Sequence, residues 1–135
     1  MLNKCFQLQK DLQEKAYGKD ITNLPIAERI EQFRIHMLAL DDELHEALAE
    51  TSWKPWQDAE YWNEREVKGE LVDAFHFFMN LCLLSGMTAE ELVERYEAKR
   101  KVNIKRQEDG YDGVSTKDPV TKKALDEPML PIDFS

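Results

Sequence analysis

Between Val67 and Leu84 the apolar residues of this chain recur at the spacing of a helix, not of a strand. At 100° per residue, Leu71, Phe75, Phe78 and Cys82 fall within about 60° of one another, and Val67, Ala74, Phe77 and Leu81 widen them into a broad apolar arc expected to face the core. A second stretch has the same period, with Ile30, Phe33, Met37, Leu40, Leu44 and Leu48 on one face. Alternating β-branched runs are few, and no Asn-Gly or Asp-Gly pair joins two of them. The sequence therefore predicts an all-α fold, a four- to five-helix bundle.

The breaks between helices are equally legible. A first helix over 2–16, with Leu2, Phe6, Leu8 and Leu12 on its apolar side, is ended by Gly18, and Pro25 suits the first turn of a second helix reaching Ala49. Pro55 makes 51–59, with Trp53, Lys54 and Trp56, a loop. A third helix is expected over 60–85, stopping at Gly86. Thr88 with Glu91 forms a capping box for a fourth over 89–107, ended near Gly110. Residues 1–111 thus read as one all-α domain. Residues 112–135, polar and carrying Pro119, Pro128 and Pro131, read as a C-terminal tail.

Composition narrows the setting. A chain of 135 residues can bury a core without staples, and its two cysteines, Cys5 and Cys82, are too few for a disulfide framework. A reducing, cytoplasmic location is expected, with no leader and no membrane span. A formal net charge of −9, with Lys and Arg scattered among acids, argues against nucleic acid as a partner.

Some of those acids stand where solvation does not account for them. Glu70 falls between Phe77 and Leu81 on the edge of the apolar arc, and Asp73 follows three residues on. A carboxylate there must be neutralised, paired or bound to a cation, because burying an isolated charge costs several kcal/mol. The second helix repeats the spacing with Glu43 and Glu46, beside the small residues Ala39 and Ala47. Either pair alone is commonplace on a solvated helix. Side by side, Glu43, Glu46, Glu70 and Asp73 form an all-oxygen set suited to Mg²⁺ or Mn²⁺ rather than zinc, with Asp42 a candidate fifth ligand and Asp41 placed for a helix contact.

The fourth helix carries a stripe of Leu92, Tyr96, Lys99, Asn103 and Arg106 that begins apolar and turns cationic. Basic residues near a helix C-terminus complement its dipole. Beside a carboxylate-held cation the same stripe becomes a phosphate clamp, Arg106 as a planar fork and Lys99 as a point charge.

On these residues the chain resembles the all-α nucleoside triphosphate pyrophosphatases, which include the MazG-like enzymes and the dimeric dUTPases. The likeness spans roughly residues 7–111. Its signature is Glu-x-x-Glu followed by Glu-x-x-Asp, here Glu43, Glu46, Glu70 and Asp73. The dUTPase branch is most similar, through Leu8, Gln9 and Leu12, the Trp53-Lys-x-Trp56 loop, Asp73-Ala-Phe-His76-Phe77, and Lys99, Asn103, Arg106, Gln107, Gly110 and Tyr111.

The resemblance implies attack of water on the α-phosphate of a deoxynucleoside triphosphate, releasing pyrophosphate, with the four carboxylates holding Mg²⁺ or Mn²⁺. It places Gln9, Gln13, Trp53, Trp56, His76 and Tyr111 at the base and nucleoside, and Lys99, Asn103 and Arg106 at the phosphates. It also implies a homodimer or homotetramer. Among substrates dUTP leads, with dCTP or dGTP next, because Gln13 stands where the dUTPases carry asparagine and Arg100 replaces the asparagine of a Lys-Asn pair.

Two other readings predict different behaviour. Asp42 with His45, and Asp73 with His76, loosely match the acid-x-x-His pairs of di-iron bundles, though aspartate is one methylene short. A non-enzymatic acidic oligomerisation or adaptor module would tolerate Glu70→Gln without loss.

Overall fold

Gly18 marks the first corner of the chain, and its geometry shows why the residue there is glycine. The computed structural model describes residues 1–110, and in it α1 (Leu2–Tyr17) ends where Gly18 enters the left-handed region at φ 67° and donates its N–H to Glu14 O at 2.8 Å. A Cβ at Gly18 would meet no atom within 4 Å, so only the backbone conformation penalises a larger residue. Gly18→Ala is expected to cost about 1 kcal/mol in urea unfolding, with no change in activity.

The following turn is held by Asp20, whose carboxylate accepts from Thr22 N at 2.9 Å, and it buries Ile21. α2 (Ile26–Ala49) starts directly after Pro25, whose carbonyl accepts from Arg29 N at 2.8 Å. α3 (Glu64–Leu84) begins later than the periodicity predicts. The reason lies in the connection. Thr51 and Trp62 form an antiparallel bridge, Ser52 N donates to Tyr61 O at 3.0 Å, and Tyr61 N donates back to the Ser52 hydroxyl at 2.9 Å, so residues 60–63 stay extended.

α3 closes with a paired C-terminal motif. Gly86, at φ 80°, donates to Leu83 O and Met87 N donates to Cys82 O at 3.0 Å, which satisfies carbonyls that the helix leaves open. α4 (Ala89–Glu108) follows; from Glu90 onward it belongs to a second compact unit, the first being residues 1–89. The described residues thus contain four helices and, apart from the single bridge, no strand. No single helix among them is long and apolar enough to cross a membrane. Tyr111 and the predicted tail over 112–135 lie outside the described residues.

Within the first unit α3 packs on α2 and on α1. His36 of α2 meets Asn80 of α3, and Glu46 meets Glu70, so the two helices run antiparallel. Residues 79–84 of α3 are buried on every side, whereas its first half buries only Val67 and Ala74. That stripe continues through Leu81 toward α2, where Ala47 is buried and its small side chain permits close approach.

The expected inward faces are only partly inward. Cys82 is buried, but Leu71 is 49% exposed and Phe75 and Phe78 are also exposed. On α2 the buried residues are His36 and Ala47, while Ile30, 63% exposed, stands out in solvent with Phe33, Met37, Leu44 and Leu48. On α1, Phe6, Gln9 and Gln13 are buried and Leu8 and Leu12 are not. α1 and α2 are turned so that a stripe mixing polar and apolar residues is buried, whereas the buried residues of α3 are apolar but for Asn80. On α2 and on α3 the exposed apolar stripe lies roughly a quarter turn from the inward one, in the same rotational sense. Because the helices are antiparallel, both stripes emerge on the same side of the hairpin.

Candidate active site

The opposite side of that hairpin collects the acids. Glu43 and Glu46 stand three apart on α2, and Glu70 faces them from α3; one carboxylate oxygen from each lies within 4.8 Å of the other two. Glu43 and Glu70 are half-buried, and each has an Oε2 atom that is shielded from water and accepts no hydrogen bond among the described residues. Such atoms need an explanation, since nearly all buried polar atoms find partners.

The electrostatics point the same way. At Glu43 the contact with the Glu70 carboxyl favours the charged form. It is outweighed by burial and by the charges of Glu46 and Asp73, so the proton affinity rises above the usual carboxylate range. Glu46 is raised through its contacts with Glu70, and Glu70 through its contact with Glu43. Asp73 stays outside the three-carboxylate group, although its charge acts on Glu43 and Glu70. A divalent cation answers both the repulsion and the orphaned oxygens, and three carboxylate donors without sulfur or imidazole are the donor set that suits Mg²⁺ or Mn²⁺.

The remaining sequence-predicted residues are distributed as follows. Asp42 adds charge near Glu46, and Asp41 pairs instead with His45 on the exposed side of α2 at 3.7 Å. No histidine joins the carboxylate group among the described residues, so the acid-x-x-His pairs do not assemble as a di-iron centre requires. Gln9 and Gln13 are buried, and Gln9 Nε2 donates to Asn80 Oδ1 at 2.9 Å. His76 is half-buried on α3. Trp53 and Trp56 are exposed in the connection between α2 and α3, Trp56 at 74%, and Lys54 Nζ lies 5.9 Å from the Trp53 ring. They are not core anchors. In the second unit Lys99 and Asn103 line one concavity with Tyr96, Arg100, Ile104 and Gln107, and Arg106 lies one turn beyond.

The sequence reading missed Asn80 and His36. Asn80 is 1% exposed inside the run Met79, Asn80, Leu81, and a lone amide in such a run is the signal that could have found it. His36 stands seven residues before Glu43 and therefore on the same inward stripe.

An antiparallel helix pair that presents three clustered carboxylates defines a helical scaffold with a candidate cation site. The chain belongs to the dUTPase family, whose model matches residues 1–84 and so includes Glu43, Glu46, Glu70 and Asp73. Two relatives are dCTP pyrophosphatases. That of Enterobacteria phage LZ5 is 40% identical over 75 residues, covering 47% of this chain and 44% of the relative. That of Enterobacteria phage T4 is 47% identical over 49 residues, covering 36% of this chain and 29% of the relative. The chain spans less than half the length of these curated relatives. No solved structure matches.

Proposed function

We propose that this protein hydrolyses a deoxynucleoside triphosphate to the monophosphate and pyrophosphate, with Mg²⁺ or Mn²⁺ held by Glu43, Glu46 and Glu70 and with Asp73 beside them. The observation that carries this reading is the convergence of three carboxylates from two helices around two buried, unpartnered oxygens. The family and the relatives' printed names support a pyrimidine substrate, dUTP or dCTP. The bound cation supplies neutralisation of charge developing on the phosphate oxygens.

The chain's own residues take the other roles. Glu43 or Glu46 accepts the proton of the attacking water. Gln9, Gln13 and His76 line the nucleoside pocket, and Trp53 and Trp56 cover it from the α2–α3 connection. Lys99, Asn103 and Arg106 bind phosphate oxygens and stabilise the leaving pyrophosphate, a role suited to two cations and an amide along one helix stripe.

A second copy of the chain covers the apolar side of the α2–α3 hairpin, giving a homodimer or homotetramer. Ile30, Phe33, Met37, Leu44, Leu71 and Phe75 are all exposed, and their helical positions put them on that side, an apolar concentration that supports this assembly.

The test is to incubate the protein with dUTP, dCTP, dGTP, dATP and dTTP in Mg²⁺ or Mn²⁺ and to resolve the products. Monophosphate and pyrophosphate in equal amounts are expected from a pyrimidine substrate. Turnover of none of the five with either cation would return the carboxylates to a structural role in a binding module.

A further inference from the structure

Two turns along the hairpin from the carboxylates, the helix interface holds a chain of polar side chains. Gln9 of α1 donates through Nε2 to Asn80 Oδ1 of α3 at 2.9 Å, and Asn80 Nδ2 lies 3.3 Å from Nδ1 of His36 on α2. All three residues are buried. Buried polar networks are favourable only when their members are satisfied. Here the relay ends at Gln9 Oε1, which accepts no hydrogen bond among the described residues and, unlike the Oε2 atoms of Glu43 and Glu70, is not shielded from water.

The relay has a direction. Burial pushes the His36 imidazolium toward its neutral form, in which one ring nitrogen accepts and the other donates. With Nδ1 accepting, Asn80 must donate to it. Its Oδ1 is then left to accept from Gln9, and the Gln9 carbonyl is the end that remains. Moving the proton to Nδ1 would turn over Asn80 and then Gln9, which would offer N–H in place of the carbonyl. The face that Gln9 shows is therefore decided two residues away.

The spacing suits a nucleoside. His36 precedes Glu43 by seven residues on α2 and Asn80 follows Asp73 by seven on α3, so the relay and the acids are about 10 Å apart along the helices. That is close to the reach from the edge of a base to its 5′-phosphorus. Cytosine carries an amino donor where uracil carries a carbonyl. A carbonyl held in one orientation meets the first with a hydrogen bond and the second with repulsion.

We propose that Asn80 and His36 are positioning residues that lock the Gln9 amide carbonyl-outward and so select cytosine over uracil in the substrate. The inference rests on the pyrophosphatase reading above, with Gln9 at the base.

The experiment is kcat/KM for dCTP and for dUTP in the full chain and two variants. Wild type is expected to favour dCTP by at least about tenfold. Asn80→Leu, which frees the Gln9 amide to turn over, should bring the ratio to within about threefold of unity. Asn80→Asp, whose carboxylate still accepts from Gln9, should restore most of the preference. Equal losses on both substrates in Asn80→Leu mean that Asn80 only packs, and overturn the proposal. A wild type that favours dUTP, or neither, overturns it while leaving the hydrolase reading intact. Failure to turn over either substrate removes both. If the variants do not fold, the ¹⁵N shifts of the wild-type His36 ring decide: the Nε2–H tautomer is expected, and Nδ1–H overturns the assignment.

Discussion

Replacing Glu70 with glutamine is expected to abolish measurable pyrophosphohydrolysis, lowering kcat/KM by at least the roughly 100-fold at the upper end of effects seen for groups that only support a metal ligand. The same variant is expected to be no less stable than wild type when divalent cations are chelated. Glu43, Glu46 and Glu70 all have proton affinities raised in the folded state above the ordinary carboxylate value of 4.5. A group raised in this way contributes stability that is fully present below its unfolded pKa and is lost as pH rises through the folded one. In EDTA, wild-type Tm should therefore fall, relative to Glu70→Gln, as pH rises from 4.5 toward neutrality. Adding Mg²⁺ at neutral pH should raise the wild-type Tm and leave the variant's unchanged. Thermal scans at several pH values with and without Mg²⁺ check this. A Glu70→Gln protein that keeps its turnover, or a wild type indifferent to Mg²⁺, would remove the cation from the site.

The second large effect concerns the apolar side of the hairpin. Wild type is expected to sediment at a multiple of its 15.8 kDa chain mass, and Leu44→Asp combined with Phe75→Asp to sediment as the single chain. Each charge placed at the centre of an apolar interface costs about 2 kcal/mol or more. Together they raise the dissociation constant by about 1,000-fold. The variant should lose turnover while keeping its Mg²⁺-dependent rise in Tm, because Glu43, Glu46 and Glu70 meet within one chain. Sedimentation equilibrium and Mg²⁺-dependent thermal shifts measure the two halves. A wild type that sediments as a monomer, or a monomeric variant with full activity, would show that one chain holds the whole site.

Most of the secondary structure was legible because its causes are local. Gly18 and Gly86 stop α1 and α3 through their backbone freedom, and apolar period marks α2 and α3. The start of α3 was not, because the Thr51–Trp62 bridge and the Ser52–Tyr61 bonds hold 60–63 extended, and no residue in that stretch announces its partner nine or more positions away. The acid cluster was legible for a similar reason. Three-residue spacing places Glu43 with Glu46 on one helix face and Glu70 at the edge of an apolar arc, so the charges advertise a shared need.

The rotation of each helix about its axis was a different matter. Leu71, Phe75 and Phe78 make as good a core face as Val67, Ala74 and Leu81, and amphipathic period cannot say which apolar stripe meets a helix of the same chain and which meets another surface. The relay of Gln9, Asn80 and His36 was hidden for the same reason. Its members lie 71 and 44 positions apart and become partners only once the register of three helices is set. By itself the sequence determined what is dictated over one or two turns: four helices, their stops, and the carboxylates that cannot be left alone. Only the tertiary structure decided which stripes face inward, that Asp73 stands beside the carboxylate trio and not within it, and which buried amide touches which. Those choices depend on packing one whole helix against another, an energy that no short stretch of residues contains.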